Sequence, residues 1–340
     1  MKHKSRSDLN ISRVLVTGGA GFLGASLVPL LLRRGYEVVV IDDFSNGKES
    51  HLAAVKNHPK LKIYRGDILI RADVERACKG CDALIHLAVL CLRQSICDAV
   101  RVTEVIVNGT LNCLQVALER RLKLFLNCSS SEVLGTAKRI PMDEEHPLHP
   151  ETPYAAAKVA QDMLVASYGR TYQLPWATIR PFNMYGPNSH WQGHRGELIP
   201  KMIVRALNKC PLVVFGDGKQ SRDFLYVEEA ALAVCKLLEC DRALGQTVNF
   251  CTGVDTTVLR MAELICRNFG FDPKHMIEYQ EARPGDVRRH IGDVSRFKQL
   301  FGFVPKVSVE EGLARTIAWY KALPIAPETM LAQMATRNWE

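Results

Sequence analysis

Thr17-Gly18-Gly19-Ala20-Gly21-Phe22-Leu23-Gly24 is the stretch that decides the fold. It follows a short apolar run, Arg13–Thr17, and opens Phe22–Arg34, where apolar residues recur at helical spacing. Gly35 closes that helix, and Tyr36–Ile41 reads as a second buried strand. Glycine at 18, 21 and 24 lets the backbone turn tightly and approach a pyrophosphate, which then sits on the positive end of the helix. The second strand runs into Asp42, 18 positions after Gly24, where a carboxylate can hold the adenosine ribose hydroxyls. A carboxylate there repels a 2′-phosphate, and the neighbouring Asp43 adds negative charge rather than an arginine. The expected cofactor is therefore NAD and not NADP. Asp67, after the third strand, could contact the adenine, although its spacing suits a turn residue nearly as well.

Outward from this turn the pattern continues. Strand-like runs recur at Lys62–Tyr64, Ala83–Leu87, Lys123–Cys128, Trp176–Ile179 and Thr247–Cys251, with helical stretches between them, notably Val100–Arg120 and Pro153–Thr171. Such alternation predicts an α/β fold: a Rossmann-type doubly wound parallel sheet with helices on both faces. After about residue 181 the chain becomes richer in Pro, Gly and loop-like sequence, which suggests a smaller C-terminal substrate-binding lobe. The expected division is a dinucleotide-binding domain over 11–181, taking in about 222–252, and a lobe over 182–221 and 253–325.

Composition narrows the function. A chain of 340 residues, 47% hydrophobic and 24% charged, reads as an ordinary soluble protein. No apolar run approaches the roughly 20 residues that span a bilayer, and the short basic N-terminus lacks the apolar stretch of a signal peptide. A cytoplasmic protein without membrane attachment is expected. The net charge of +8 is scattered among acids, with no Lys/Arg block and no aromatic-basic stripe, so a small anionic ligand is expected rather than nucleic acid. The 11 cysteines are spread through apolar surroundings. Cys78-Lys79-Gly80-Cys81 lacks the second pair or neighbouring His of a zinc site, so no metal is expected.

Tyr154-Ala155-Ala156-Ala157-Lys158 follows Thr152-Pro153, a helix start with a capping hydroxyl and proline at the first position. Four residues apart, Tyr154 and Lys158 share one helix face. An adjacent ammonium favours the phenolate, which makes Tyr154 a candidate general base. The pair comes 24 residues after a serine cluster at the end of a strand, Ser129-Ser130-Ser131.

Taken together, these residues resemble the extended short-chain dehydrogenase/reductases, the nucleotide-sugar epimerases and dehydratases. The resemblance runs over roughly residues 12–322 and rests on Val16–Gly24, Asp82–Ala88, Asn108-Gly109-Thr110, Ser129–Gly135, Pro153–Lys158, Arg180–Pro187, Arg222-Asp223-Phe224 and Arg283–Asp286. It implies that Ser130 hydrogen-bonds the sugar hydroxyl, that Tyr154 is the base and that Lys158 holds the nicotinamide ribose. It implies cofactor contacts from Gly18, Gly21, Phe22, Leu23 and Gly24, and from Ile68, Leu87, Ala88 and Asn108. Asn108 has an equally plain reading as a helix residue. On the substrate side the resemblance implies Ser95, Ser131 and Asn183, with Arg222, Arg283 and Asp286 facing a nucleotide diphosphate. Guanidinium forks match phosphate oxygens, so the two arginines suit that place. It also implies a homodimer built from two helices of each subunit, here Val100–Arg120 and Pro153–Thr171.

The chain departs from the family in three places. Leu134 stands where a tyrosine is usual, Val89 follows Ala88 in place of a second alanine, and the loop Asn188–Arg195 is long. In that loop Trp191 suits stacking on a base or sugar and plugging the lobe about equally. His190 and His194 lack the acids and helical context of a metal pair.

Family members share oxidation of the sugar at carbon 4. The ketone then leads to 4-epimerisation, to loss of water across carbons 5 and 6, or to decarboxylation of a uronic acid. Glu132 is the informative residue, because relatives that abstract the carbon 5 proton carry glutamate at this position. A 4,6-dehydratase is the favoured expectation, with a 4-epimerase or a UDP-glucuronate-type decarboxylase as the alternatives. A catalytically silent NAD-binding scaffold is the competitor from another class, and retention of Ser130, Tyr154 and Lys158 weighs against it.

Overall fold

The computed structural model describes residues 9–193, 195–282, 287–335 and 337. Seven parallel strands form its main sheet: β1 (Arg13–Thr17), β2 (Glu37–Asp42), β3 (Leu61–Arg65), β4 (Ala83–His86), β5 (Leu124–Cys128), β6 (Trp176–Pro181) and β7 (Thr247–Phe250). Their spatial order is β7-β6-β5-β4-β1-β2-β3. Each matches a strand expected from the sequence to within about two residues; six are buried along most of their length, whereas the edge strand β3 is largely exposed. The order reverses between β1 and β4, and in such sheets ligands bind outside the carboxyl ends of the strands at that point.

Helices in the first part of the chain are α1 (Phe22–Arg33), α2 (Arg71–Ala77), α3 (Gln94–Cys97), α4 (Ala99–Glu119), α5 (Pro153–Tyr172), α6 (Leu198–Leu207) and α7 (Val227–Leu238). Alternate strand residues face opposite sides of the sheet. Val14, Val16, Val38 and Val40 pack with Leu27 and Leu31 of α1 and with Val234 of α7. Leu15, Val39, Ile41 and Phe125 pack on the other face with Ile106 and Cys113 of α4 and Val165 of α5. A third cluster lies beyond β6. It joins Tyr185, Trp191, Ile199 and Met202 to Leu212, Met261, Leu313 and Tyr320. Small two- and three-stranded sheets complete this part, including Asn183–Tyr185 paired with Phe224–Tyr226, and Ser221–Arg222 between Thr256–Thr257 and Arg289–His290.

The ends of α5 fix the site. Thr152 caps it by accepting the Ala155 amide N–H at 3.2 Å, with Pro153 in the first turn. Deeper in the sheet, the buried Asp162 carboxylate accepts from Arg180 Nε at 2.9 Å and from Asn127 Nδ2 at 3.0 Å. This ion pair pins α5 to β5 and β6, one turn beyond Lys158.

Candidate active site

One cavity of about 450 Å³ runs from the glycine turn across the ends of β1, β4 and β5 to the segments after β6. Gly18, with φ +66°, sits so close to the strand below that an added Cβ would lie 2.7 Å from Ala88 Cα. A Cβ on Gly24 would lie 2.3 Å from the Gly19 carbonyl oxygen. Only glycine fits either position. No side chain caps the start of α1, so its first-turn N–H groups are left for an anion. Gly18, Gly21, Phe22, Leu23 and Gly24 all line the cavity, as do Ile68, Leu87 and Ala88.

Asp42 ends β2 at the cavity wall. Its carboxylate accepts from the Ala20 amide at 2.9 Å and the Phe44 amide at 2.8 Å. Burial pushes its pKa up, and these two N–H groups oppose the shift. Asp67 lines the cavity, and its carboxylate accepts the Leu69 amide N–H at 2.9 Å within its turn.

Ser130, Ser131, Glu132, Tyr154 and Lys158 meet on the same cavity. Ser130 caps a short 3-10 turn, Ser131–Leu134, that directly follows β5, accepting the Glu132 amide at 3.2 Å. Lys158 is buried, with Nζ 6.0 Å from the centre of the Tyr154 ring. Burial pushes the Tyr154 phenol well above its ordinary pKa, with the Ser130 hydroxyl opposing. Burial likewise lowers that of Lys158. The sequence suggested a phenol acidified by its lysine. In the structure, burial of the phenol opposes that acidification.

On the substrate side, Asn183 and Arg222 line the cavity, and Arg222 Nη1 donates to the carbonyl oxygens of Ser221, at 2.9 Å, and Val287, at 2.6 Å. Asn183 Nδ2 and Ser129 Oγ are buried without a hydrogen-bond partner among the described residues, although both residues line the cavity. Buried polar atoms rarely stay unpaired, so these two are suited to receive a ligand. Arg283 and Asp286 lie outside the described residues, as does His194.

Two expected residues are not brought to the cavity. Ser95 is buried within α3, its hydroxyl donating to the Leu92 carbonyl at 2.6 Å. Asn108 is exposed on α4, where helix periodicity turns it away from the buried Ile106 and Thr110. Trp191 is a plug: it is buried, packs edge-on against Tyr320 and belongs to the third apolar cluster. Arg93 and Glu197, which the sequence did not single out, and His190, which it weighed only as a metal ligand, also line the cavity. Burial pushes the Glu197 carboxyl up to about 7 and the His190 imidazole down to about 4. Neither belongs to a recurring motif, so only the fold places them at the cavity. Cys78 and Cys81 are kept protonated by burial, pushed up to about 11 and about 12. Among the described residues no helix is long and apolar enough to cross a membrane.

The sequence model of the NAD dependent epimerase/dehydratase family matches residues 14–251, and the chain belongs to that family. It is 34% identical over 310 residues to the low-salt glycan biosynthesis protein Agl12 of Haloferax volcanii, covering 90% of this chain and 98% of that one. A dTDP-glucose 4,6-dehydratase (DesIV double mutant) of Streptomyces venezuelae, with NAD bound, superposes with a TM-score of 0.86 at 31% identity, covering 91% of this chain and 97% of that one. The UDP-glucose 4-epimerase of Thermotoga maritima, with UDP-glucose, gives a TM-score of 0.85 at 30% identity, over 91% and 98% of the two chains. NAD is the cofactor, and the close-packed glycine turn, the uncapped start of α1 and the Asp42 carboxylate on the same cavity are suited to it.

Proposed function

We propose that the enzyme acts on a nucleoside-diphosphate hexose through a 4-keto sugar, with loss of water across carbons 5 and 6 as the reaction. The observation that carries this reading is Glu132. Its side chain lines the cavity near both Tyr154 and His290, and no hydrogen bond or ion pair among the described residues engages its carboxylate. A carboxylate placed beside the catalytic pair and left unpaired is suited to take a second proton from the sugar.

In this reading Tyr154 removes the 4-hydroxyl proton while Ser130 hydrogen-bonds the same oxygen, and Lys158 holds the nicotinamide ribose. NAD⁺, when bound, would supply the two-electron acceptor for carbon 4 and a positive ring charge. The ketone acidifies carbon 5. Glu132 takes that proton and passes it to the carbon 6 hydroxyl, which leaves as water. The resulting enone takes back the hydride at carbon 6, and Glu132, reprotonated from solvent, delivers a proton to carbon 5. The cofactor would be held by 11–181 with 222–252, and the nucleotide by 182–221 with 253–325; Asn183 of the second part and Arg222, at the start of 222–252, both line the cavity.

Incubation with a panel of UDP-, GDP-, dTDP- and CDP-sugars, with products read by NMR, tests the reaction. A 4-keto-6-deoxy product from one hexose is expected. Inversion at carbon 4 alone would show an epimerase, carbon dioxide from a uronic acid a decarboxylase, and no turnover of any sugar a silent scaffold.

We also propose a homodimer through α4 and α5, on which Val100, Met163 and Tyr172 remain exposed. Light scattering is expected to give twice the chain mass at micromolar concentration, and a monomer there would contradict it.

A further inference from the structure

Lys158 is buried without a carboxylate of its own. Its neighbour Asp162 is fully occupied by Arg180 and Asn127. Instead, Lys158 Nζ donates to the Cys128 carbonyl and to Gln161 Oε1, both at 2.9 Å. Gln161, one turn along α5, donates from Nε2 to Thr110 Oγ1 on α4 at 2.9 Å. Thr110 Oγ1 also lies 2.9 Å from His86 Nε2 on β4, and His86 Nδ1 lies 2.8 Å from Thr17 Oγ1 on β1.

Only one arrangement of protons satisfies this chain. The Thr110 hydroxyl has a single proton, and it goes to the Ile106 carbonyl, which can only accept. Both His86 Nε2 and the Gln161 atom facing Thr110 must then be donors. That places the Gln161 oxygen toward Lys158 and leaves His86 Nδ1 to accept from Thr17. Thr17 Oγ1 in turn accepts the Leu87 and Ala88 amides, each at 3.2 Å, on the cavity floor. Burial keeps His86 neutral, with its pKa down to about 3. All four side chains, Thr17, His86, Thr110 and Gln161, are buried.

We propose that Gln161 is a positioning residue for Lys158, and that the buried chain through Thr110, His86 and Thr17 fixes which end of its amide faces the ammonium. The chain uses two of the three Lys158 N–H donors and aims the third at the cavity. Because it is neutral, it leaves the lysine charge to act on Tyr154, which a carboxylate in the same place would cancel. The inference rests on Tyr154 and Lys158 being the catalytic pair. The ionisable groups facing Lys158 are Tyr154 and Asp162 on its own helix, Cys128 on β5 and His86 on β4. Those facing Tyr154 are Lys158, Cys128, Glu132 after β5 and Cys91 after β4.

Three variants test this: Gln161→Glu, Thr110→Val and Thr110→Ser. The first readout needs no substrate. In NAD-loaded protein labelled with 13Cε-lysine, with the Lys158 signal assigned by its loss in Lys158→Met, Gln161→Glu should raise the Lys158 titration by about one unit or more. Thr110→Val should lower it, because the freed amide can turn its NH₂ toward the ammonium. The second readout is the pH–rate profile with whichever panel sugar turns over. Gln161→Glu should move the acidic limb upward and cut kcat about tenfold or more with KM and NAD content unchanged. Thr110→Val should cut kcat alone, and Thr110→Ser, which keeps the hydroxyl, should restore it. Melting temperature separates these effects from loss of fold. Wild-type kcat and titration in Thr110→Val, or Thr110→Ser as impaired as Thr110→Val, would overturn the proposal. Normal turnover in Lys158→Met would instead remove the catalytic pair on which it rests.

Discussion

Tyr154→Phe is expected to lower turnover about 10²–10⁴-fold, the usual cost of losing a general base. The ring stays, so the packing of α5 against the cavity is kept and NAD content should not change. The effect should fall on kcat with little change in KM, because the phenol acts on a proton that is in flight only in the transition state. The structure adds a condition. Burial pushes this phenol above its ordinary pKa. Positive charge from Lys158 and from bound NAD⁺ is expected to favour its ionised form, so removing either should slow the oxidation step. Stopped-flow kinetics of the variant, with cofactor content measured in parallel, checks both points. Near-normal turnover would point to a different base.

Glu132→Gln is expected to have an effect of comparable size on a different step. Glutamine keeps the volume and the hydrogen-bonding reach but cannot accept the carbon 5 proton. Oxidation at carbon 4 should proceed, so NADH should accumulate on the enzyme, while elimination falls by about 10²–10⁴-fold. The short turn after β5 should survive the change, because it is held by the Ser130 hydroxyl and the backbone of Glu132, and not by the carboxylate. Absorbance of the reduced nicotinamide and quantification of product in one reaction separate the two steps. If Glu132 were a structural residue, both would fall together or neither would.

The parts of the architecture legible in the sequence are those written by local pattern. Most strands of the main sheet announce themselves as apolar runs, α5 by Thr152-Pro153, and the cofactor turn by glycines whose Cβ atoms would collide with Ala88 and Gly19. Tyr154 and Lys158 are legible because one helix face holds both. Features that depend on residues far apart in the chain stay hidden. Gln161 reaches Thr110 across 51 positions, and Thr17 reaches His86 across 69. The only local hint of that network is the i,i+3 spacing of Lys158 and Gln161. Asn108 misled because a motif gives a position and not a helix phase: the residue falls on the exposed side of α4. Trp191 could not be assigned from the sequence, since a long loop gives no direction, and the structure buries it against Tyr320. The balance between Lys158 and burial at Tyr154 is likewise a property of the enclosed cavity, which no spacing conveys.

The most direct test of the central claim is a reaction of the wild-type enzyme in heavy water with the hexose substrate found by the panel, followed by NMR of the product. If Glu132 removes the carbon 5 proton from a 4-keto sugar, that proton exchanges with solvent. The product should then be a 4-keto-6-deoxy sugar carrying deuterium at carbon 5. A product that retains all its carbon-bound hydrogens, with only the 4-hydroxyl inverted, would contradict the account.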